Sequence, residues 1–202
     1  MFGEIGIRGN PETGPLRVPV SGEFVFSYNL NLTTYNYSDL CYNNFMKNML
    51  IEESVAKALK KKKGTVCCAE SCTGGLVSSR ITDVSGSSAF FLGGVVSYSN
   101  AAKTKLLGVD RAVIKKHGAV SPQVARLMAE GVRKKFSADH ALSITGIAGP
   151  AGGNKNKPVG LAYIGISSKK GTRSLKVQYK GDRLEVKKKF AEAALKTLLK
   201  NI

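Results

Sequence analysis

Apolar positions settle into a regular rhythm only from Met46 onward. Ile51, Val55 and Leu59 recur every four residues, and lysines 60–63 followed by Gly64 close the run. That pattern predicts a helix with a basic last turn and a glycine stop. A short apolar stretch at 65–69 predicts a buried strand, followed by a helix from about 73 to 82. A strand is expected at 91–98, where paired glycines signal a bulge or close packing. A short helix at 101–107 comes next. Ser121-Pro122 then opens a longer one, with Val124, Leu127, Met128, Val132 and Phe136 on one face. Strands are expected at 141–145, 160–167 and 173–179, the last two paired around Lys169-Lys170-Gly171. Asp182-x-x-Glu185 resembles a capping box, and it starts a helix with Leu184, Phe190, Ala194, Leu195 and Leu198 inward. The order αβαβααβββα predicts an α/β fold: a three-layer domain with a mixed β-sheet flanked by helices.

Residues 1–45 do not share this rhythm. They hold two basic residues (Arg8, Arg17), four acidic ones (Glu4, Glu12, Glu23, Asp39), no lysine, and eight of the fifteen Phe and Tyr residues. The remainder holds 29 basic and 10 acidic residues, so the net +17 lies entirely after the seam. We therefore divide the chain into an N-terminal extension, 1–45, poorly ordered or loosely docked, and a domain, 46–202. A small β-arm over 22–32 is the rival reading for the extension. The surplus of positive charge favours anionic partners. A nucleic acid is not the expected partner, because neither an aromatic-interleaved RNA motif nor a helix-turn-helix signature accompanies the charge. No apolar run reaches the roughly 18 residues of a membrane span. With no secretory signal and four cysteines lacking a Cys-x-x-Cys pair, a cytoplasmic location is expected.

The segment Ala69-Glu70-Ser71-Cys72-Thr73-Gly74-Gly75 carries the chemistry. A buried strand runs into a small-residue turn that opens a helix. Backbone N–H groups at such a start are unpaired and partly positive, suited to a phosphate or an oxyanion. Ser71 is placed as a nucleophile would be, by the logic of a strand–turn–helix elbow. Serine is also a common helix cap, and the stretch alone does not choose between the two roles. Neither His117 nor His140 has an evident acidic partner, so each reads as structural. A lysine serves as base if burial lowers its pKa, but composition does not single one out. Cys67 and Cys68 read as core, Cys72 as a packed small residue, and no Cys/His spacing predicts a metal site.

Motifs in sequence order then raise a resemblance. They are AESCTGG (69–75), ITDVSGSSAFF (81–91), GGVVSYSNAAK (93–103), LLGV (106–109), HGAVSPQVA (117–125), SITGIAGPAGG (143–153) and KPVG (157–160). Together they resemble the CinA C-terminal domain family, also called the nicotinamide-nucleotide amidase or NMN deamidase family, from about residue 50 to 200. The resemblance implies a cytoplasmic hydrolase of pyridine nucleotide salvage and NAD metabolism. It would cut the carboxamide of nicotinamide mononucleotide to nicotinate mononucleotide and ammonia, without a metal or cofactor. It implies Ser71 as nucleophile, with Tyr98 and Lys103 activating it. Thr73, Gly74, Asn100, Thr145, Gly146 and Arg183 are the substrate-binding residues expected on the same basis. Asn154-Lys155-Asn156-Lys157 departs from the more acidic stretch usual in that loop. The molybdopterin-binding-like domain that precedes this one in larger CinA proteins does not fit into 45 residues. A homo-oligomer, with a dimer favoured, is the expected assembly.

A catalytically inactive nucleotide-binding or competence- and DNA-repair-associated module is the alternative. A chain starting at Met46 is expected to fold and keep any amidase activity, because every motif lies beyond it. Turnover and melting temperature of the full and shortened proteins at equal concentration check this. A folded but inactive short form would put residues 1–45 in the site.

Overall fold

The computed structural model describes residues 50–202, so the N-terminal extension lies outside the described residues. The elements are α1 (Leu50–Lys62), β1 (Val66–Glu70), α2 (Leu76–Thr82), a 3-10 turn (Ser87–Ala89), β2 (Phe91–Val96), α3 (Asn100–Leu107), α4 (Arg111–His117), α5 (Pro122–Phe136), β3 (His140–Gly146), β4 (Leu161–Ser168), β5 (Gly171–Gln178) and α6 (Arg183–Leu199). The five strands form one sheet in the order β2-β1-β3-β4-β5. β1 runs parallel to both β2 and β3, whereas β3–β4 and β4–β5 are antiparallel. The sheet is therefore mixed.

β1 is buried on both faces, and its alternation divides the core. Val66 and Cys68 join Val55, Leu59, Val77, Phe190 and Leu195 on the side of α1, α2 and α6. Cys67 and Ala69 join Leu107, Ile114, Val124, Met128 and Val132 on the side of α3, α4 and α5. This is the expected three-layer arrangement. Among the described residues no helix is long and apolar enough to cross a membrane.

Parallel strands force each crossover to a face of the sheet. The chain leaves β1 toward α2 on one face and leaves β2 toward α3–α5 on the other, returning as β3 on the far side of β1. The carboxyl ends of β1, β2 and β3 therefore open onto a crevice, the usual ligand position in such sheets.

Local differences from the sequence pattern have physical causes. α2 begins at Leu76 and not near Thr73, because residues 71–75 form a turn in which Gly74 and Gly75 take left-handed φ angles of 65° and 101°. α4 has no counterpart in the hydrophobic pattern: only Ile114 of its seven residues is buried, so it leaves no periodic stripe. Leu184 was expected inward but is 67% exposed. It lies in the first turn of α6, about 200° around the helix from the buried Val186. Asp182 and Glu185 do form the capping box.

Both glycines of β2 are spatially required. A bulge breaks the β1–β2 register, pairing Val66 with Phe91 but Cys67 with Gly93. A Cβ on Gly94 would lie 2.3 Å from Ser78 Oγ, so β2 and α2 touch through that glycine.

α5 approaches β4 as closely. A Cβ on Gly165 would lie 2.3 Å from the Ala125 carbonyl oxygen and 2.5 Å from Ser143 Oγ. Gly165→Ala is expected to destabilise the domain by about 1–3 kcal/mol through overpacking. Urea midpoints of the variant and the wild type test this, and equal midpoints would refute it.

Candidate active site

β1 delivers Ser71 to the crevice. The Ser71 amide donates to the Ile144 carbonyl at 3.0 Å, continuing the β1–β3 ladder one residue past the strand and pinning the serine to β3. Ser71 does not cap α2. The N-cap is Gly75, and the first amides of the helix turn inward to a different side chain. Glu70 Oε2 accepts from the amides of Gly75 (3.0 Å) and Val77 (3.1 Å). Its Oε1 accepts from the Ser78 amide (2.8 Å) and hydroxyl (2.7 Å). The expectation that the helix start offers its N–H groups to a ligand thus needs correcting. The protein's own carboxylate holds those amides. Among the described residues, only the Cys72 and Thr73 amides of the turn lack a carbonyl or carboxylate partner.

α3 delivers the partner of Ser71. Ser99 caps this helix by accepting from the Ala102 amide at 3.0 Å. One turn in, Lys103 points back into the protein and is only 1% exposed. Its Nζ donates to Ser71 Oγ at 2.9 Å and to the Ser97 carbonyl at 2.7 Å. No carboxylate pairs with it among the described residues. Burial therefore lowers its pKa below the ordinary lysine value, outweighing the opposing effect of Cys72. Cys72 is itself buried, and its thiol is pushed up to about 12, so it stays protonated near neutral pH.

Ser71, Lys103, Tyr98, Asn100, Thr145, Gly146 and Arg183 line one cleft of about 270 Å³, together with the loop after β3 from Ile147 to Gly152. Tyr98 is 62% exposed at its mouth. Its hydroxyl accepts from Arg183 Nη2 at 3.0 Å, while Arg183 Nη1 donates to the Gly149 carbonyl at 2.6 Å. Arg183 thus ties α6 to the loops after β2 and β3. Lys103 Nζ meets Ser71 Oγ directly, while the Tyr98 hydroxyl is held by Arg183. Thr145 is buried and donates to the Ala119 carbonyl at 2.9 Å. A Cβ at Gly146 would collide with Leu161 and Ala162, so the cleft floor there is bare backbone. Thr73 and Gly74 do not line the cleft. The Thr73 hydroxyl is buried without a hydrogen-bond partner, and Gly74 faces the Lys187 ammonium.

Neither histidine belongs to the cleft. His140 pairs with Val66, at the opposite end of β1 from Ser71. The His117 carbonyl accepts from Lys157 Nζ at 2.7 Å, so Lys157 staples that loop to α4. Glu70 and Ser97 join the site only through the structure. Ser97 leaves no signal there. Glu70 does, as a lone acid between an apolar run and the serine turn.

Fold and site together define the class: a three-layer α/β domain with a buried serine–lysine pair at the carboxyl ends of its parallel strands. Residues 48–202 match the CinA C-terminal domain, and the chain belongs to that family. A CinA-like protein from Chlorobaculum tepidum is 52% identical over 154 residues, covering 74% of this chain and 36% of that protein. One from Endomicrobium trichonymphae is 39% identical over 205 residues, covering 100% of this chain and 48% of that protein, so residues 1–45 share in the match. The chain spans about a third to a half of the length of these relatives. Among solved structures, the competence/damage inducible protein CihA from Agrobacterium tumefaciens superposes with a TM-score of 0.71 at 37% identity, covering 74% of this chain and 94% of that one. The competence damage-inducible protein A (ComA) from Klebsiella pneumoniae gives 0.74 at 30% identity, covering 76% and 95%.

The buried lysine makes stability depend on pH. Between its lowered pKa and the ordinary value of about 10.4, the unfolded chain binds a proton that the folded chain does not. Stability contributed at this site should therefore rise with pH through that window. Relative to Lys103→Met, the wild type is expected to gain stability as pH increases there and to run parallel below it. Urea midpoints across the alkaline range measure this, and parallel curves throughout would contradict it.

Proposed function

We propose that this domain hydrolyses the carboxamide of nicotinamide mononucleotide, giving nicotinate mononucleotide and ammonia, with Ser71 as nucleophile and Lys103 as base. The observation that carries the reading is the direct 2.9 Å contact between a buried lysine without a counter-ion and a serine at the floor of a cleft. A lysine in that setting loses its proton more readily than one in water. As a neutral amine it keeps one N–H on the Ser97 carbonyl and turns its lone pair to the Ser71 hydroxyl.

Ser71 Oγ attacks the carboxamide carbon while Lys103 takes its proton. The carbonyl oxygen becomes an oxyanion, for which the backbone amide of Cys72, in the cleft wall next to Ser71, is the donor. As the C–N bond breaks, Lys103 returns the proton to the leaving nitrogen, and ammonia departs. Water then attacks the acyl-enzyme, with Lys103 as base again, and nicotinate mononucleotide and Ser71 are restored. The choice of nucleotide rests on the family resemblance and on Arg183, a cation at the cleft mouth able to meet a phosphate. Its present acceptors, Tyr98 and Gly149, are neutral, so an anion would compete well for it.

Ammonia release from nicotinamide mononucleotide by the purified full chain tests the reading, and no release would overturn it. It also separates an amidase from an inactive nucleotide-binding module. Ser71→Ala should lower kcat at least about 10⁴-fold while the fold persists. Lys103→Ala should cost about 10³-fold or more. Lys103→Arg should not rescue, because guanidinium stays charged. For the wild type, kcat/KM should rise with pH on an ionisation below that of ordinary lysine. A flat profile with an active Lys103→Arg would exclude the lysine base.

A further inference from the structure

We propose that Glu70 is a positioning residue, whose buried carboxylate shapes the Ser71–Gly75 turn into the nucleophile's seat and oxyanion cradle. The proposal deepens the serine–lysine hydrolase reading and rests on it. Helix N-termini are ordinarily answered by a short side chain at the cap. α2 has glycine there instead, with no side-chain bond, and the answering group comes from five residues earlier. Glu70 is 1% exposed, and its carboxylate takes four hydrogen bonds of 2.7–3.1 Å from three amides and one hydroxyl. Because the carboxylate lies beneath the helix start, the chain between Glu70 and Leu76 must arch over it. That arch is the Ser71–Gly75 turn, which sets Ser71 and Cys72 into the cleft wall.

A carboxylate is the group this place demands. It accepts up to four hydrogen bonds and donates none, matching four inward donors. Glutamine would set an NH₂ against an N–H. The main chain of Glu70 acts on the base as well. Its carbonyl accepts from the Ser97 amide at 2.7 Å, and the Ser97 carbonyl holds Lys103 Nζ at 2.7 Å. One residue therefore fixes the nucleophile's turn through its side chain and the lysine's anchor through its backbone. The fourth donor, Ser78 Oγ, reaches Glu70 only because Gly94 leaves room for it.

The test uses the full chain with Glu70→Gln, Ser78→Ala, and Glu192→Gln as a stability control. Glu192 pairs with Arg80 and Lys196, away from the cleft. With nicotinamide mononucleotide, Glu70→Gln is expected to lower kcat on the order of 10²-fold, as loss of an oxyanion donor does, with KM near the wild-type value. The rising limb of the pH profile should stay in place, because the burial of Lys103 is untouched. Ser78→Ala, which removes one of four donors, should give a smaller fall in the same parameter. If Glu70→Gln does not fold, the result for Ser78→Ala decides. Unchanged kcat in whichever variant folds, or a fall no larger than that of a Glu192→Gln protein of equal melting temperature, overturns the proposal.

If the wild type releases no ammonia from this nucleotide, the substrate reading fails separately. The cradle is then read from the rate at which a fluorophosphonate labels Ser71. In that step the Ser71 oxygen bonds phosphorus, fluoride leaves, Lys103 takes the proton, and the phosphonyl oxygen occupies the oxyanion position. Slower labelling in Glu70→Gln supports the proposal and equal labelling refutes it. No labelling of the wild type refutes both the cradle and the nucleophile.

Discussion

An amine taken out of water without a carboxylate beside it is the constraint on which the site depends. Burying an ammonium ion costs several kcal/mol even after relaxation, so the protein shifts the balance toward the neutral form. The remaining polar needs of Lys103 are met by two oxygens, Ser71 Oγ and the Ser97 carbonyl. Neither is charged, so neither pulls the proton back onto the nitrogen. The one acidic side chain in the neighbouring turn, Glu70, faces the other way and is engaged by backbone amides. Keeping that charge on α2 and away from α3 is a division that the two faces of the sheet make possible.

The mixed sheet supplies the framework. Three parallel strands bring their carboxyl ends to one edge: β1 contributes the serine, β2 the carbonyl and the helix that carries the lysine, and β3 the bare glycine floor. The antiparallel half does different work. β4 packs α5 through Gly165, fixing the helix whose preceding loop accepts the Thr145 hydroxyl. Arg183 then closes the circuit from α6, gripping the loops after β2 and β3 at once.

Much of this fold was written in hydrophobic spacing. The inward stripes of α1 and α5, the paired last strands and the capping box of α6 all follow from periodicity and cap chemistry. α4 did not, since seven residues with one buried apolar side chain carry no period. The start of α2 was misplaced because local propensity treats Glu70 as the end of a strand. The structure uses it as a long-range cap. The site was legible as a strand–serine–turn, but the lysine that meets the serine was not. Lys103 stands 32 positions from Ser71 among many lysines, and only the meeting of two crossovers distinguishes it. Resemblance to a family supplied what spacing did not.

The Ser99 cap has a consequence for which changes of length the chain can absorb. Each residue added or removed between that cap and Lys103 moves the lysine about 100° around α3. An α-helix has no means of reabsorbing that angle within four residues. From Ser99 to Lys103 the sequence is thus a phased spacer, closed to insertion and deletion. The loop from Gly152 to Lys157, exposed and joined at its end to α4, carries no such phase. Length variation among related chains is expected to collect in that loop and to be absent from the spacer.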